Sequence, residues 1–203
     1  MLITRHFVFV HHQKTGGMFV KGLFKTQLPD WIVDDLEHVP ASAIPAEHQH
    51  LPVLGFVRNP WDWYVSWYSY VLSQRQRFEN EPPNSLWVSV LDRGRASFQE
   101  AVTTACGAGG VDLYTRMHRL MFDRPMEIGR FENLRGDLLA FLERHSIPAG
   151  EDFVHHALTR PAENATTRDH YSRYYDAELR ELVANTSPIV REYGYSFEPP
   201  VAS

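Results

Sequence analysis

Two rhythms of apolar and polar positions run along the chain. Phe7-Val8-Phe9-Val10 is an unbroken aromatic and β-branched run. Such a run, lacking alternation, predicts one strand over residues 6–11, buried on both faces of a parallel sheet. Residues 14–17 break it. Met18, Phe19, Leu23 and Phe24 then recur at helical spacing, with Lys21 and Lys25 between them, until Pro29 stops the pattern. Residues 31–33 predict a second short strand, residues 40–49 a short helix behind Pro40, and residues 51–57 another buried strand. Asn59 is a candidate N-cap with Pro60 at the first helical position, which predicts a helix through the aromatic-rich residues 61–75. Strand, turn and helix have by then occurred twice.

Farther along, residues 79–84 predict a polar, proline-containing loop. Residues 107–110 predict a break between helical stretches at 97–104 and 114–121. Residues 126–131 predict a further strand. Residues 132–145 predict a helix, on the spacing of Leu134, Leu138, Leu139, Phe141 and Leu142, and residues 175–185 the last long helix. Buried-type strands alternating with helices argue for an α/β layer fold, with a largely parallel central sheet flanked by helices. A chain of 203 residues is expected to form a single domain over residues 1–203.

Composition narrows the function classes. Apolar residues at 43% and charged residues at 22% are globular proportions and leave no room for a disordered majority. The formal charge of −5 implies no basic face for duplex nucleic acid, so any anion site must be local. Cys106 is the only cysteine, which excludes an internal disulfide and fits a reducing compartment. No run approaches the ~18 apolar residues of a membrane span, and no Ala-x-Ala-like cleavage site follows the N-terminal apolar run. The expectation is a soluble cytoplasmic protein with neither membrane span nor nucleic-acid partner; its oligomeric state is left open.

The first turn reads His11-His12-Gln13-Lys14-Thr15-Gly16-Gly17-Met18-Phe19. Two glycines let backbone approach an anion, the helix behind them offers unpaired N–H groups and a positive dipole end, and Lys14 adds a full charge. The nucleotide-kinase loop needs its lysine after the second glycine, whereas here lysine comes first. The second turn is Arg58-Asn59-Pro60, with Ser66 eight residues after the arginine. A guanidinium binds a phosphate through two parallel hydrogen bonds, and a hydroxyl two helical turns along can add a third.

Lys14-Thr15-Gly16-Gly17 after an aromatic-valine strand and a histidine resembles the 5′-phosphosulfate loop of sulfotransferases that use 3′-phosphoadenosine 5′-phosphosulfate (PAPS), especially their carbohydrate-modifying branch. The Arg-x-Pro turn resembles that family's 3′-phosphate segment. Further likenesses are Gly129-Arg130-Phe131-Glu132-Asn133-Leu134, Asn164-Ala165-Thr166-Thr167-Arg168 and Tyr193-Gly194-Tyr195-Ser196-Phe197. The resemblance implies a P-loop-like three-layer fold that binds PAPS and releases 3′-phosphoadenosine 5′-phosphate (PAP). It also implies donor contacts from Lys14, Thr15, Gly16, Gly17, Met18, Phe19, Arg58, Ser66 and Arg168, and transfer to a hydroxyl of a small-molecule or glycan acceptor. Two departures bear on the donor: Met18 stands where the family has threonine, and Gln13 where it has proline.

Transfer of this kind asks the protein for positioning and for charge on the leaving oxygen, a role for Lys14. A base must take the hydroxyl proton, and 11 histidines are candidates. Glu37-His38-Val39 lies between the two turns and resembles the Gly-His-Val segment of hexuronic-acid sulfotransferases, which implies His38 as base. His11 is the runner-up, and Asp34, Asp35 and Glu37 are the carboxylate alternatives. His11-His12, His48-x-His50 and His155-His156 offer pairs without third and fourth ligands at a recognisable spacing, so no metal is expected. Two other readings stay open: a small-molecule kinase with an altered nucleotide loop, and a non-catalytic nucleotide-binding module. Met18 and the aromatics Trp61, Trp63, Trp67 and Tyr70 suggest the latter, while the bland account of those aromatics is core packing of the second helix.

Overall fold

The N-terminal apolar run folds back on itself at Thr4. The Thr4 hydroxyl donates to the Phe7 carbonyl at 2.7 Å and accepts from the Phe7 N–H at 2.9 Å. Strands β1 (Leu2–Thr4) and β2 (Val8–Phe9) therefore pair antiparallel. Strand β2 falls within the strand expected over residues 6–11, whereas β1, ahead of it, is not among the expected elements. A threonine side chain that captures nearby backbone groups makes a turn inside an apolar run, and hydrophobic pattern does not register that competition.

The structure is a computed structural model that describes residues 1–74, 90–92, 95–107, 110–161 and 168–198. Among these the fold is α/β, with a five-stranded mixed sheet and eight α-helices. The sheet runs β3-β1-β2-β4-β5, where β3 is Ile32–Asp35, β4 Val53–Val57 and β5 Glu127–Arg130. The β2/β4 and β4/β5 pairings are parallel, while β1/β2 and β1/β3 are antiparallel. The largely parallel sheet expected from the sequence is thus parallel on one side only, because the N-terminal hairpin supplies the rest. No helix among the described residues is long and apolar enough to cross a membrane.

The chain divides into two compact units, residues 1–58 with 118–161, and residues 59–117 with 168–198 as far as they are described. In the first unit the pleat sends alternate side chains to opposite faces. Leu2, Phe7, Phe9, Leu54 and Phe56 join Val20, Leu23 and Phe24 of α1 (Gly17–Gln27), Leu138 and Phe141 of α5 (Leu134–Arg144) and Phe153 of α6 (Glu151–Thr159) in one core. Ile3, Val8, Val10 and Val53 face the other way, onto Ala41, Ile44 and Met121. Residues 40–49 form two 3-10 turns, Ala41–Ala43 and Ala46–His48, in place of the expected short helix. Pro40 and Pro45 each restart the chain in extended backbone, which limits the segment to single turns. Helix α6 is absent from the sequence-based expectations.

The second unit holds α2 (Pro60–Ser73), α3 (Phe98–Gly107), α7 (Ala177–Thr186) and α8 (Pro188–Glu192), and α4 (Leu113–Met121) crosses the boundary between units. Asn59 caps α2 by accepting from the Trp61 N–H at 3.1 Å, ahead of Pro60, as the sequence predicted. The aromatics of α2 are interior: Trp61, Trp63 and Trp67 are buried, and Trp63 stacks on Tyr114 with ring centroids 4.5 Å apart. Asp112 is wholly buried, accepting from the Tyr64 hydroxyl at 2.9 Å and the Thr115 N–H at 3.0 Å, so it caps α4 from inside. The loop expected at residues 79–84 lies outside the described residues.

Phe9 is fully buried and touches both Phe56 and His11 rings. Phe9→Ala is expected to cost about 3–5 kcal/mol, the usual range for truncating a core phenylalanine, read as a fall in the denaturant midpoint at unchanged m-value.

Candidate functional site

Strands β2 and β4 are parallel neighbours, so their C-terminal ends, and the turns that follow, emerge side by side. That is where open α/β sheets gather ligand groups. Within the first unit, Arg58 of the second turn reaches Lys14 of the first. Arg58, directly after β4 and 7% exposed, donates from Nη1 to the Lys14 carbonyl at 2.9 Å. Its guanidinium carbon also lies 3.9 Å from the Phe131 ring centroid. Lys14 has a left-handed backbone, φ +62°, which is unfavourable for a residue with a Cβ. The bond from Arg58 to the Lys14 carbonyl offsets that cost and sets the turn.

Gly16 follows with φ +83° and serves as N-cap of α1 without a side-chain hydrogen bond, and the first turn of α1 carries no acidic residue. An uncapped start without a carboxylate keeps the positive dipole end of the helix uncompensated. The glycines have a second reason. A Cβ on Gly16 would lie 2.2 Å from Leu134 Cδ1, and a Cβ on Gly17 1.8 Å from Cδ2 of His11. Their missing side chains make room for protein atoms. Thr15 is buried and its hydroxyl donates to the His12 carbonyl at 2.8 Å, so its side chain is spent on the turn itself. Phe19 belongs to the core, with the Arg135 guanidinium 4.6 Å from its ring centroid, whereas Met18 is 52% exposed.

Beside this turn lies a pocket of about 150 Å³, lined by His11, Met18, Lys21, Gly22, Lys25, Asp35, Glu37 and His38. The α1 residues among them, 18, 21, 22 and 25, share one helical face, and the acids and His38 come from the end of β3 and the residues after it. Asp35 takes Lys21 on Oδ1 and Lys25 on Oδ2, the latter at 2.5 Å. The two ammonium groups hold its carboxyl below the ordinary value against the opposing effect of burial. Sequence reading named Asp35 only as an alternative base and missed the lysines, although Lys21 and Lys25 stand four apart on α1, the spacing that lets one carboxylate bridge them.

His38, with φ +49°, and His11 face each other with ring centroids 5.4 Å apart. Burial, together with the nearby His38 and Lys21, pushes His11 down to about 3. His38 is also lowered, chiefly by burial, while Glu37 pulls in the opposite direction. On the other face of β2, His12 is completely buried against the rings of His118 and Phe122, which holds it well below its ordinary value; burial brings His118 to about 4.

The remaining candidates belong to the second unit. Ser66 is buried on α2, and Arg168 forms an ion pair with Asp62 at 2.5 Å. Residues 164–167 of the Asn-x-Thr segment lie outside the described residues. The Tyr193–Phe197 likeness has a structural part: Phe197 packs edge-on against Trp61, Tyr171 and Tyr175. Among the described residues no three His, Cys, Asp or Glu side chains gather in a metal-holding group. Compared with protein-family models and with curated proteins, the chain matches none.

Two outcomes follow from the packing. Gly17→Ala is expected to lower the melting temperature sharply in the native background and much less in a His11→Ala background; equal losses in both would show that the glycine is needed for another reason. Acid should act through the buried imidazoles. Their folded-state values lie below the unfolded value of about 6.5, so the unfolded chain binds protons that the folded chain does not. Stability is therefore complete above about pH 6.5 and declines as pH falls below it, toward the values near 4 and 3 of His118 and His11. Melting temperatures from pH 7.5 to 4 in His12→Gln, His118→Gln and native protein would show a shallower decline in each variant.

Proposed function

We propose that the chain is a sulfotransferase that takes a sulfuryl group from PAPS and delivers it to an acceptor hydroxyl. One observation carries the reading: the two turns that resemble the donor-binding segments of that family, 44 residues apart in sequence, meet through the Arg58 bond to the Lys14 carbonyl at the ends of neighbouring parallel strands. The P-loop-like layering belongs to the same proposal, with β2, β4 and β5 as its parallel part.

The residues at the turn fit an anionic donor. The backbone amides at the start of α1 lie at a helix end without a side-chain cap, and Lys14 adds a positive charge beside them. PAPS, when bound, supplies the sulfuryl group: its S–O bond to phosphate breaks as the bond from sulfur to the acceptor oxygen forms, leaving PAP. Lys14 stabilises the negative charge that the leaving oxygen acquires. His38 accepts the acceptor's proton. His11 is the poorer base, since an imidazole held near 3 has little affinity for a proton at neutral pH. Arg58 and Ser66 enter as 3′-phosphate contacts on the family resemblance alone, which also carries Arg168, paired with Asp62 in the structure, over as a donor contact.

The test is a binding series followed by single-turnover transfer. By calorimetry PAP should bind far more tightly than AMP or ATP, and equal affinity for PAP and AMP would sink the proposal. Lys14→Ala should lower the transfer rate more than PAP affinity, because its charge acts mainly as the leaving oxygen becomes negative. His38→Ala should keep PAP affinity yet lower transfer by roughly 10²–10⁴, the span of general-base catalysis. EDTA should leave transfer intact; loss restored by Mg²⁺ together with ATP binding would support a kinase instead.

A further inference from the structure

The charges lining the pocket beside α1 are two lysines and two carboxylates, a formal sum of zero with the imidazoles neutral. Their distribution matters more than their sum. Lys21, with a side chain 7% exposed, and Lys25 both close on the Asp35 carboxylate, one on each oxygen. The cationic charge of the pocket wall is thereby engaged internally, and a ligand carboxylate or sulfate would have to compete with Asp35 for it. Glu37 is different. It is exposed on the rim beside His38, and among the described residues it makes no hydrogen bond or ion pair. Glu37 and His38 line the same pocket as consecutive residues, so an anion bound at His38 has this carboxylate as a near neighbour. Met18, largely exposed, offers an apolar surface across the same pocket, and Gly22 leaves space where a side chain would intrude. At about 150 Å³ the pocket is half or less of what encloses a drug-sized ligand, so it admits one small ring or its equivalent.

Resting on the sulfotransferase reading, we infer that this pocket receives the acceptor and selects an uncharged hydroxyl compound of about one ring, with Glu37 as the residue that turns away anionic acceptors. The hexuronic-acid likeness around His38 would suggest the opposite preference, since those acceptors carry carboxylates. The Lys21-Asp35-Lys25 arrangement and the rim position of Glu37 decide for the uncharged class. Like charges at a recognition surface act mainly by excluding wrong partners.

Methyl β-glucoside and methyl β-glucuronide are a matched pair of probes, nearly equal in shape and differing by one carboxylate. Each is titrated into the full chain saturated with PAP, and binding is followed on the His38 ring protons by NMR. The glucoside is expected to bind more tightly, and Glu37→Gln to narrow the gap by roughly twofold to fivefold, the range of an exposed charge pair. Glu37→Lys should reverse the ranking. Tighter binding of the glucuronide to the native chain, an unchanged ratio in Glu37→Gln, or no response of His38 to either sugar would each overturn the inference. PAP affinity, measured separately, judges the transferase reading: tight PAP binding with the wrong sugar preference removes only the acceptor assignment. A chain that binds neither PAP nor AMP but still prefers the glucoside would keep the pocket and lose the reaction.

Discussion

Close packing at the start of α1 constrains everything around it. Gly16 and Gly17 sit where Cβ atoms would strike the Leu134 and His11 side chains, so those two side chains pack directly against the backbone at the start of the helix. That proximity brings the dipole end of α1 level with the end of β2, and it places His11 beside His38. Arg58 completes the arrangement from β4 by holding a carbonyl whose residue is in an unfavourable backbone region. A turn held by steric exclusion and a charge-assisted bond has its backbone fixed by the surrounding fold.

Charge is handled differently in the two units. In the first, Lys21 can be buried because Asp35 is shared with Lys25, whose exposed head keeps contact with water. In the second, Asp112 is buried with no ion pair among the described residues, and its solvation is replaced by a tyrosine hydroxyl and a helix N–H. Burial raises its pKa, those bonds oppose the rise, and the result is a cap whose strength depends on complete hydrogen bonding. Cys106 lies buried in this same unit, with its thiol pushed up to about 11, which makes it an inert packing group.

Much of the fold was legible because periodicity reports burial. The helices at α1, α2, α5 and α7 lie within a few residues of their expected bounds, and Asn59-Pro60 marked the start of α2. What escaped was decided by local side-chain chemistry or by tertiary packing. Thr4 made a hairpin inside an apolar run, paired prolines cut a helix into single turns, and α6 lacks a long apolar stripe. The site shows the same division. Glycine, lysine and arginine at the two turns could be seen in the sequence, but the glycines proved to serve the contact with His11 and Leu134 as well. The Asp35 bridge needed α1 and β3 in three dimensions, since 14 residues separate it from Lys21.

The mixed sheet also has a temporal side. The β1/β2 hairpin joins residues a few positions apart, whereas β2 can pair with β4 only after some forty residues of intervening chain have been gathered. Loop-closure entropy makes the first contact quick and the second slow. Lys14 and Arg58 straddle that slow step, so the pairing that unites the two turns forms late in folding, and amide protection during refolding should reach β4 after the hairpin. Once residue 35 has cleared the ribosomal exit tunnel, a nascent chain has free every residue of the hairpin and β3, while the strand that carries Arg58 to the Lys14 carbonyl is still to emerge.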